Sequence, residues 1–289
     1  MLRSLVTMSR VACIVTALAV AASATLAAQW PAYPTPDVPR TASGEPRMDA
    51  PAPQTAGGTP DLSGTWENFR PPAEPATGTD RPLNTAFFDE TPPSIIRLFP
   101  DVGSGVEGGL PFQPWAAERR RQRMAEDSKD NPDALCLPMG FMQFHTHPQP
   151  RQIVQTDDLV LIIYEANYGL RYVFTDGRAL PLQGEPQPWW YGYSVGRWED
   201  DTLVVETNNL VDDIWLDVNG SPLTDAARVT ERFRRPTFGS LEIAVTVDDP
   251  KAYTRPWTVS LTQRLMVDSE LIEFVCNENQ QYGKRVEIE

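Results

Sequence analysis

The chain has 289 residues, and its 39 Asp and Glu against 25 Lys and Arg give a formal charge of −14 at neutral pH. Such an excess works against polyanionic partners, because nucleic-acid binding draws on a basic face that displaces counterions. The one basic cluster, ERRRQRM at 118–124, has the pattern of a solvated helix face, and no stretch beyond the first thirty residues is long and apolar enough to span a bilayer as a helix.

The chain opens MLRSLVTMSRVACIVTALAVAASATLAA, with Arg3 and Arg10 ahead of an apolar run that ends in small residues. Residues 1–28 therefore read as a secretory signal peptide, with cleavage permitted at Ala22-Ser23-Ala24 or after Ala28. Cys13 lies inside the run rather than at its end, which argues against a lipoprotein signal. An uncleaved anchor is the competing reading. Residues 29–60 are dense in Pro, Ala, Gly and Thr without an apolar period. They cannot bury enough surface to offset ordering entropy and are expected to form a disordered leader. The mature protein is then expected to be periplasmic or secreted, with no membrane span after signal cleavage.

A single barrel-like domain is expected over 61–289. Its first strand holds Gly64 and Trp66 in DLSGTWENF, and a Pro-rich insertion covers 70–135. Within that insertion Pro114 suits a first helical turn and AAERRRQRMAED is made of strong helix formers, which predicts a helix over 114–127. From Arg151 the texture changes to short β-branched and aromatic segments parted by Asp, Asn, Gly and Pro, from RQIVQT and LVLIIYEANY to WTVSLTQRLMV and LIEFVCNE. In SLEIAVTVDD, Leu241, Ile243, Val245 and Val247 share one face while Glu242, Ala244, Thr246 and Asp248 share the other, the period of a half-buried strand. Asp200-Asp201 and Asp268-Ser269 are expected to close tight hairpins. Together with the segment at Trp66 this makes about ten strands, an antiparallel meander that must close or otherwise protect its edges. The fold class is all-β, a closed barrel with a Pro-rich N-terminal elaboration and one short helix.

Two cysteines follow the leader, Cys136 in ALCLPMG and Cys276 in EFVCNEN. An exported protein meets an oxidising compartment, so a disulfide is expected. It would close a loop of about 140 residues, which the chain-entropy model values at roughly 4–5 kcal/mol. Two buried free thiols are the alternative.

The only histidines, His145 and His147, stand together in FMQFHTHPQP. In an extended segment they would present two imidazoles on one side. That suits a metal, with Glu165, Asp176, Asp201 or Glu206 as a further ligand, or general acid/base work in a water-poor cavity. A structural role ahead of Pro148 is the third reading. No further histidine and no Cys-x-x-Cys supports a zinc set, so no metal and no cofactor are assigned. In RYVFTDGR, Asp176 and Arg178 can clamp a polar substituent at a barrel mouth, against an ordinary Asp-Gly turn; Arg171 lies on the opposite strand face from Asp176 and is a further ligand-binding candidate, with Asp176 a partner for the histidines in acid/base work. In PWWYGYSVGRWEDD, Gly192, Ser194 and Gly196 share a strand face with room for a bulky neighbour or ligand. Trp189, Trp190, Tyr191 and Tyr193 can line an apolar cavity or stack on a ring. VTERFRR separates Arg228, Arg232 and Arg234 from Val229, Glu231 and Phe233, and base rates for Arg turn the arginines outward. There is no P-loop and no His-Glu-x-x-His helix.

The early Gly64-x-Trp66 followed by a meander resembles the lipocalin and wider calycin barrels. That resemblance implies a Trp closing the barrel floor against a basic side chain from a late strand, a place for Arg264 or Arg285. From Cys136 onward the phrases CLPMG, YVFTDGR, GYSVGRWEDDTLVVET, VTERFRRPTFGSLEIAVTVDDPKAYTRPW and CNEN resemble an uncharacterised family of secreted bacterial β-rich proteins over about half the chain. The resemblance implies a shared fold and export and supplies no activity; the family's counterpart of FMQFHTHPQP has no His-x-His.

These readings point to an exported protein that binds a small apolar or aromatic molecule in a barrel cavity. The rival is a calycin-type enzyme, a hydro-lyase, isomerase or hydrolase, with His145 or His147 as acid/base. A structural envelope protein without a pocket is the third possibility. The small molecule is the only partner assigned, with nucleic acid set aside, and no oligomeric state is written in the sequence.

Overall fold

A computed structural model describes residues 34–68, 98–185, 187–276 and 278. Residues 1–28, expected to be a signal peptide, and Arg285 lie outside the described residues. The alternation in β10 (Ser240–Asp248) shows why these segments become strands: Leu241, Ile243, Val245 and Val247 are buried, while Glu242 and Asp248 are exposed and Ala244 and Thr246 half-buried. Its neighbour β11 (Trp257–Met266) follows the same period of two, with Trp257, Val259, Leu261, Gln263 and Leu265 inward.

The remaining strands are β1 (Gly64–Asn68), β2 (Arg151–Gln155), β3 (Leu159–Tyr164), β4 (Leu170–Phe174), β5 (Tyr193–Glu199), β6 (Thr202–Asn208) and β9 (Arg228–Thr237). With β10 and β11 they close a nine-stranded barrel in the order β1-β2-β3-β4-β5-β6-β9-β10-β11 and back to β1. The short strands β7 (Ile214–Trp215) and β8 (Pro222–Leu223) form a separate two-stranded sheet. Every neighbour in the ring is antiparallel except β4 and β5. This corrects the fully antiparallel expectation, and the reason is parity. An odd number of strands cannot alternate direction around a closed ring, so one neighbouring pair must run the same way. A parallel pair needs a crossover rather than a hairpin, and residues 175–192 supply it.

Closure also explains a missing strand. LIEFVCNE was expected to add a strand and Asp268-Ser269 a hairpin; instead β11 ends at Met266 and residues 267–276 are not in a strand. Because β1 already pairs with both β11 and β2, the ring has no edge left to extend. The segment is held otherwise, with the Ile272 amide donating to Glu165 Oε2 (3.0 Å) and Cys276 bonded to Cys136 across a separation of 140 residues. The Asp200-Asp201 hairpin does form, joining Glu199 and Thr202 with Asp200 at positive φ.

Among the described residues two α-helices lie outside the ring strands, α1 (Pro114–Ala125) and the single turn α2 (Gln143–Thr146). Pro114 stands in the first turn of α1, where its missing N–H costs nothing. Its arginines are paired: Arg119 and Arg123 with Asp213, Arg120 with Asp101, Arg121 with Glu118. The leader expected to lack structure carries hydrogen-bonded turns over residues 41–61 and lies on the β9–β10 turn, where Phe238 N–H donates to Ala50 O (2.7 Å) and Gly239 N–H to Met48 O (2.9 Å). Composition weighs only the segment's own apolar side chains and misses backbone bonds supplied by the barrel.

Trp66 is fully buried, with Nε1 donating to Leu62 O (3.0 Å). The cation over its ring is Arg235, 4.9 Å from the centroid. Arg264 is outward and bonded to Glu67. A basic side chain from a late strand does cover the Trp, but it comes from β9.

Candidate functional site

The parallel seam is short. β4 meets β5 only at Val173↔Ser194 and Phe174↔Val195, so Leu170, Arg171 and Tyr172 have no partner in β5. The crossover comes alongside them before entering β5. It is fixed by Trp189, whose N–H donates to Asn209 O (2.9 Å) and whose carbonyl accepts from Val211 N–H (3.0 Å). Gly192 makes the turn into β5 at φ +66; a Cβ there would stand 2.5 Å from Thr207 Cγ2 and 2.6 Å from Asn208 O. The space beside this glycine, and beside Gly196, whose Cβ would meet Val173 at 3.0 Å, is filled by neighbouring strands rather than left for a ligand.

A cavity of about 580 Å³ opens at the seam. Aromatic rings from both sides line it: Tyr172 and Phe174 from β4, Trp189, Trp190, Tyr191 and Tyr193 from the crossover and the start of β5. Pro138, Leu170 and Pro188 add apolar surface. Trp189 is 48 % exposed at the rim, and Tyr191 packs edge-on against Phe144 at 4.3 Å. Burial raises the Tyr191 hydroxyl above its ordinary range, so it remains protonated. At the edge Arg178 lies over the Phe174 ring (3.7 Å) and donates to Tyr193 Oη (3.0 Å).

Gln187 and Gly192 also line it, together with two inward-facing residues, Arg171 and Ser194. Behind them is a polar network inside the barrel. Arg171 donates through Nη1 to Glu231 Oε1 (2.9 Å) and through Nη2 to Glu231 Oε2, and it also reaches Ser194 Oγ (3.1 Å) and Thr207 Oγ1 (2.9 Å). His145 Nε2 completes the coordination of Glu231 Oε1 at 2.7 Å. The guanidinium of Arg171 also lies over Phe141 at 4.6 Å. Burial alone would raise the Glu231 carboxyl, but the Arg171 charge and its hydrogen bonds, with His145, outweigh it and hold Glu231 at about 2. Burial lowers His145 below its usual value despite the Glu231 bond, so near neutral pH the ring is uncharged and Nε2 carries the donated proton.

The sequence-predicted residues separate into two groups. Arg171, Trp189, Trp190, Tyr191 and Tyr193 converge on one cavity, with Arg178 beside it. His145, His147 and Asp176 do not line it. The two histidines are not on a strand: they fall on α2 and its C-terminal cap, and two residues apart on a helical turn point in different directions. His145 turns to Glu231, whereas His147 approaches Asp133 (3.5 Å) and stands edge-on to Phe99. Asp176 is bound by Arg178 in an exposed Asp-Gly turn, and the bonds from Arg178 lower its carboxyl. Among the described residues no group of three or more His, Cys, Asp and Glu is placed to hold a metal ion.

Glu231 is the functional-site residue that sequence reasoning missed, although its signal was present: parity put a lone carboxylate on the face shared by Val229 and Phe233. Gly192-Tyr193-Ser194-Val195-Gly196 also spells Gly-x-Ser-x-Gly, the pattern of a nucleophile elbow. Ser194 instead lies within β5, bonded to Thr207 Oγ1 (2.8 Å) and Arg171, without the strand-to-helix turn that exposes such a serine. No family model, no curated protein and no solved structure matches the chain.

Proposed function

We propose that this is an exported protein that binds a small, largely apolar or aromatic molecule in the pocket at the parallel seam of its barrel. The observation that carries the reading is the convergence of six aromatic rings, contributed by both sides of the seam, on one cavity of about 580 Å³. That volume falls within the few hundred to a thousand Å³ common for small-molecule sites, as does the mixture of many apolar walls and few polar groups. Export is supported by the form of the first 28 residues and by the Cys136–Cys276 disulfide, a bond that persists in oxidising compartments. The acid/base alternative has less to rest on, because neither histidine reaches the pocket and His145 is committed to Glu231. Titration of tryptophan fluorescence with neutral naphthalene derivatives tests the reading. Saturable binding that weakens about tenfold in Trp189→Ala is expected; no saturable binding, or binding indifferent to Trp189→Ala and Tyr172→Ala alike, overturns it.

A further inference from the structure

An arginine lining an aromatic pocket ordinarily announces a carboxylate or sulfonate ligand. The surroundings of Arg171 argue the opposite, and this deepens the pocket reading above. Among the described residues Arg171 is the only charged one that lines the cavity. Its charge is already matched by Glu231, which is wholly inaccessible and lies behind it on β9. Ser194 and Thr207 take further guanidinium protons. Arg178, the cation at the rim, is likewise paired, its Nε and Nη2 both held by Asp176. Each cation near the pocket therefore brings its own carboxylate, within a chain whose net charge is −14.

We infer that the seam pocket selects an uncharged ring compound bearing a carbonyl or hydroxyl group, and discriminates against the corresponding carboxylate. Arg171 is the member of the Arg171–Glu231 pair that lines the cavity, so the pair brings no net charge there, and a neutral acceptor surrenders little hydration on entering. A carboxylate would surrender far more and find no uncompensated cation in return. Because Glu231 is held at about 2 and the Arg171 guanidinium is raised by the same pairing, both partners stay ionised across the ordinary pH range, and titration does not relax the selectivity.

Calorimetric titration of the full-length protein with 2-naphthol and with 2-naphthoate at pH 7 provides the test, since the two share a ring system and differ in charge. The naphthol is expected to bind at least tenfold more tightly. Glu231→Gln, which removes the matching charge while keeping the shape, is expected to narrow that ratio or invert it. Equal or tighter binding of 2-naphthoate by the wild-type protein overturns the inference while leaving the pocket intact. Binding of neither overturns the pocket reading and the inference with it. The wild-type comparison stands whether or not the variant folds.

Discussion

Replacing Arg171 by Met removes the cation from the barrel interior while keeping most of the side-chain volume. What remains is Glu231, wholly buried, with His145 as its one hydrogen-bond partner among the described residues other than Arg171. Breaking a buried pair from one side costs about 3–5 kcal/mol, because an uncompensated charge is left behind. The pH dependence gives the sharper signature. In the wild-type protein the Glu231 carboxyl falls from 4.5 to about 2 on folding, a contribution of about 3 kcal/mol that is fully present above pH 4.5 and lost only as the pH drops through about 2. In Arg171→Met burial acts without the cation and raises the same group above its unfolded value, so the sign reverses. The penalty is then present at neutral pH and relieved as the pH falls and the Glu231–His145 pair takes up a proton. Urea unfolding followed by tryptophan fluorescence is expected to show the full deficit at pH 7, equivalent to roughly 10 °C in Tm, and less than half of it at pH 4.5. A deficit that does not change between these values would refute an ionised Glu231 held by Arg171.

Gly192→Ala combines positive φ with a Cβ pressed against Thr207 and the Asn208 carbonyl, and is expected to cost about 2–5 kcal/mol of unfolding free energy. Gly177→Ala has a comparable φ of +83 but open space around it, and should lose only the backbone strain of about 1–2 kcal/mol, so paired denaturation curves isolate the packing cost. His145→Ala strips one acceptor bond from a buried carboxylate and is expected to destabilise by about 2–4 kcal/mol in thermal melts. His147→Ala, which loses a ring contact and a longer approach to Asp133, should cost about 1 kcal/mol. Equal effects at the two histidines would contradict their different surroundings.

Strand positions were legible wherever a period of two ran for several residues: β9, β10 and β11 appear with the faces that parity assigns, Arg228, Arg232 and Arg234 outward among them. The aromatic group around Trp189 was legible as a cluster, but not its location at a parallel seam. That location follows from the parity of the whole ring, which no local window contains. The His-x-His segment was misjudged for a related reason. Four residues of helix are too few to show a period, and Pro148 favours extension of the residue before it without fixing those further back. LIEFVCNE failed as a strand although its pattern is acceptable, because pairing depends on a vacant edge. Glu231 could be placed on the inward face by alternation alone; its partners, Arg171 from β4 and His145 from α2, are 60 and 86 residues away along the chain and meet it only once the barrel closes.

The uneven count of strands gives this barrel a division of labour that an even-stranded one lacks. Eight of its nine joints are antiparallel pairings whose hydrogen-bond register resists change. The ninth is bridged by residues 175–192, a connection that runs over the surface and contributes four of the six rings around the cavity, counting Tyr193 just beyond its end. Surface connections accept insertion and substitution more readily than the strands they join. Substitutions in that stretch would therefore reshape the cavity wall while the buried ion pair and the ring's ladder stay as they are. Residues 187–191 are the positions at which to reshape that wall, and Gly192 is the one to leave alone.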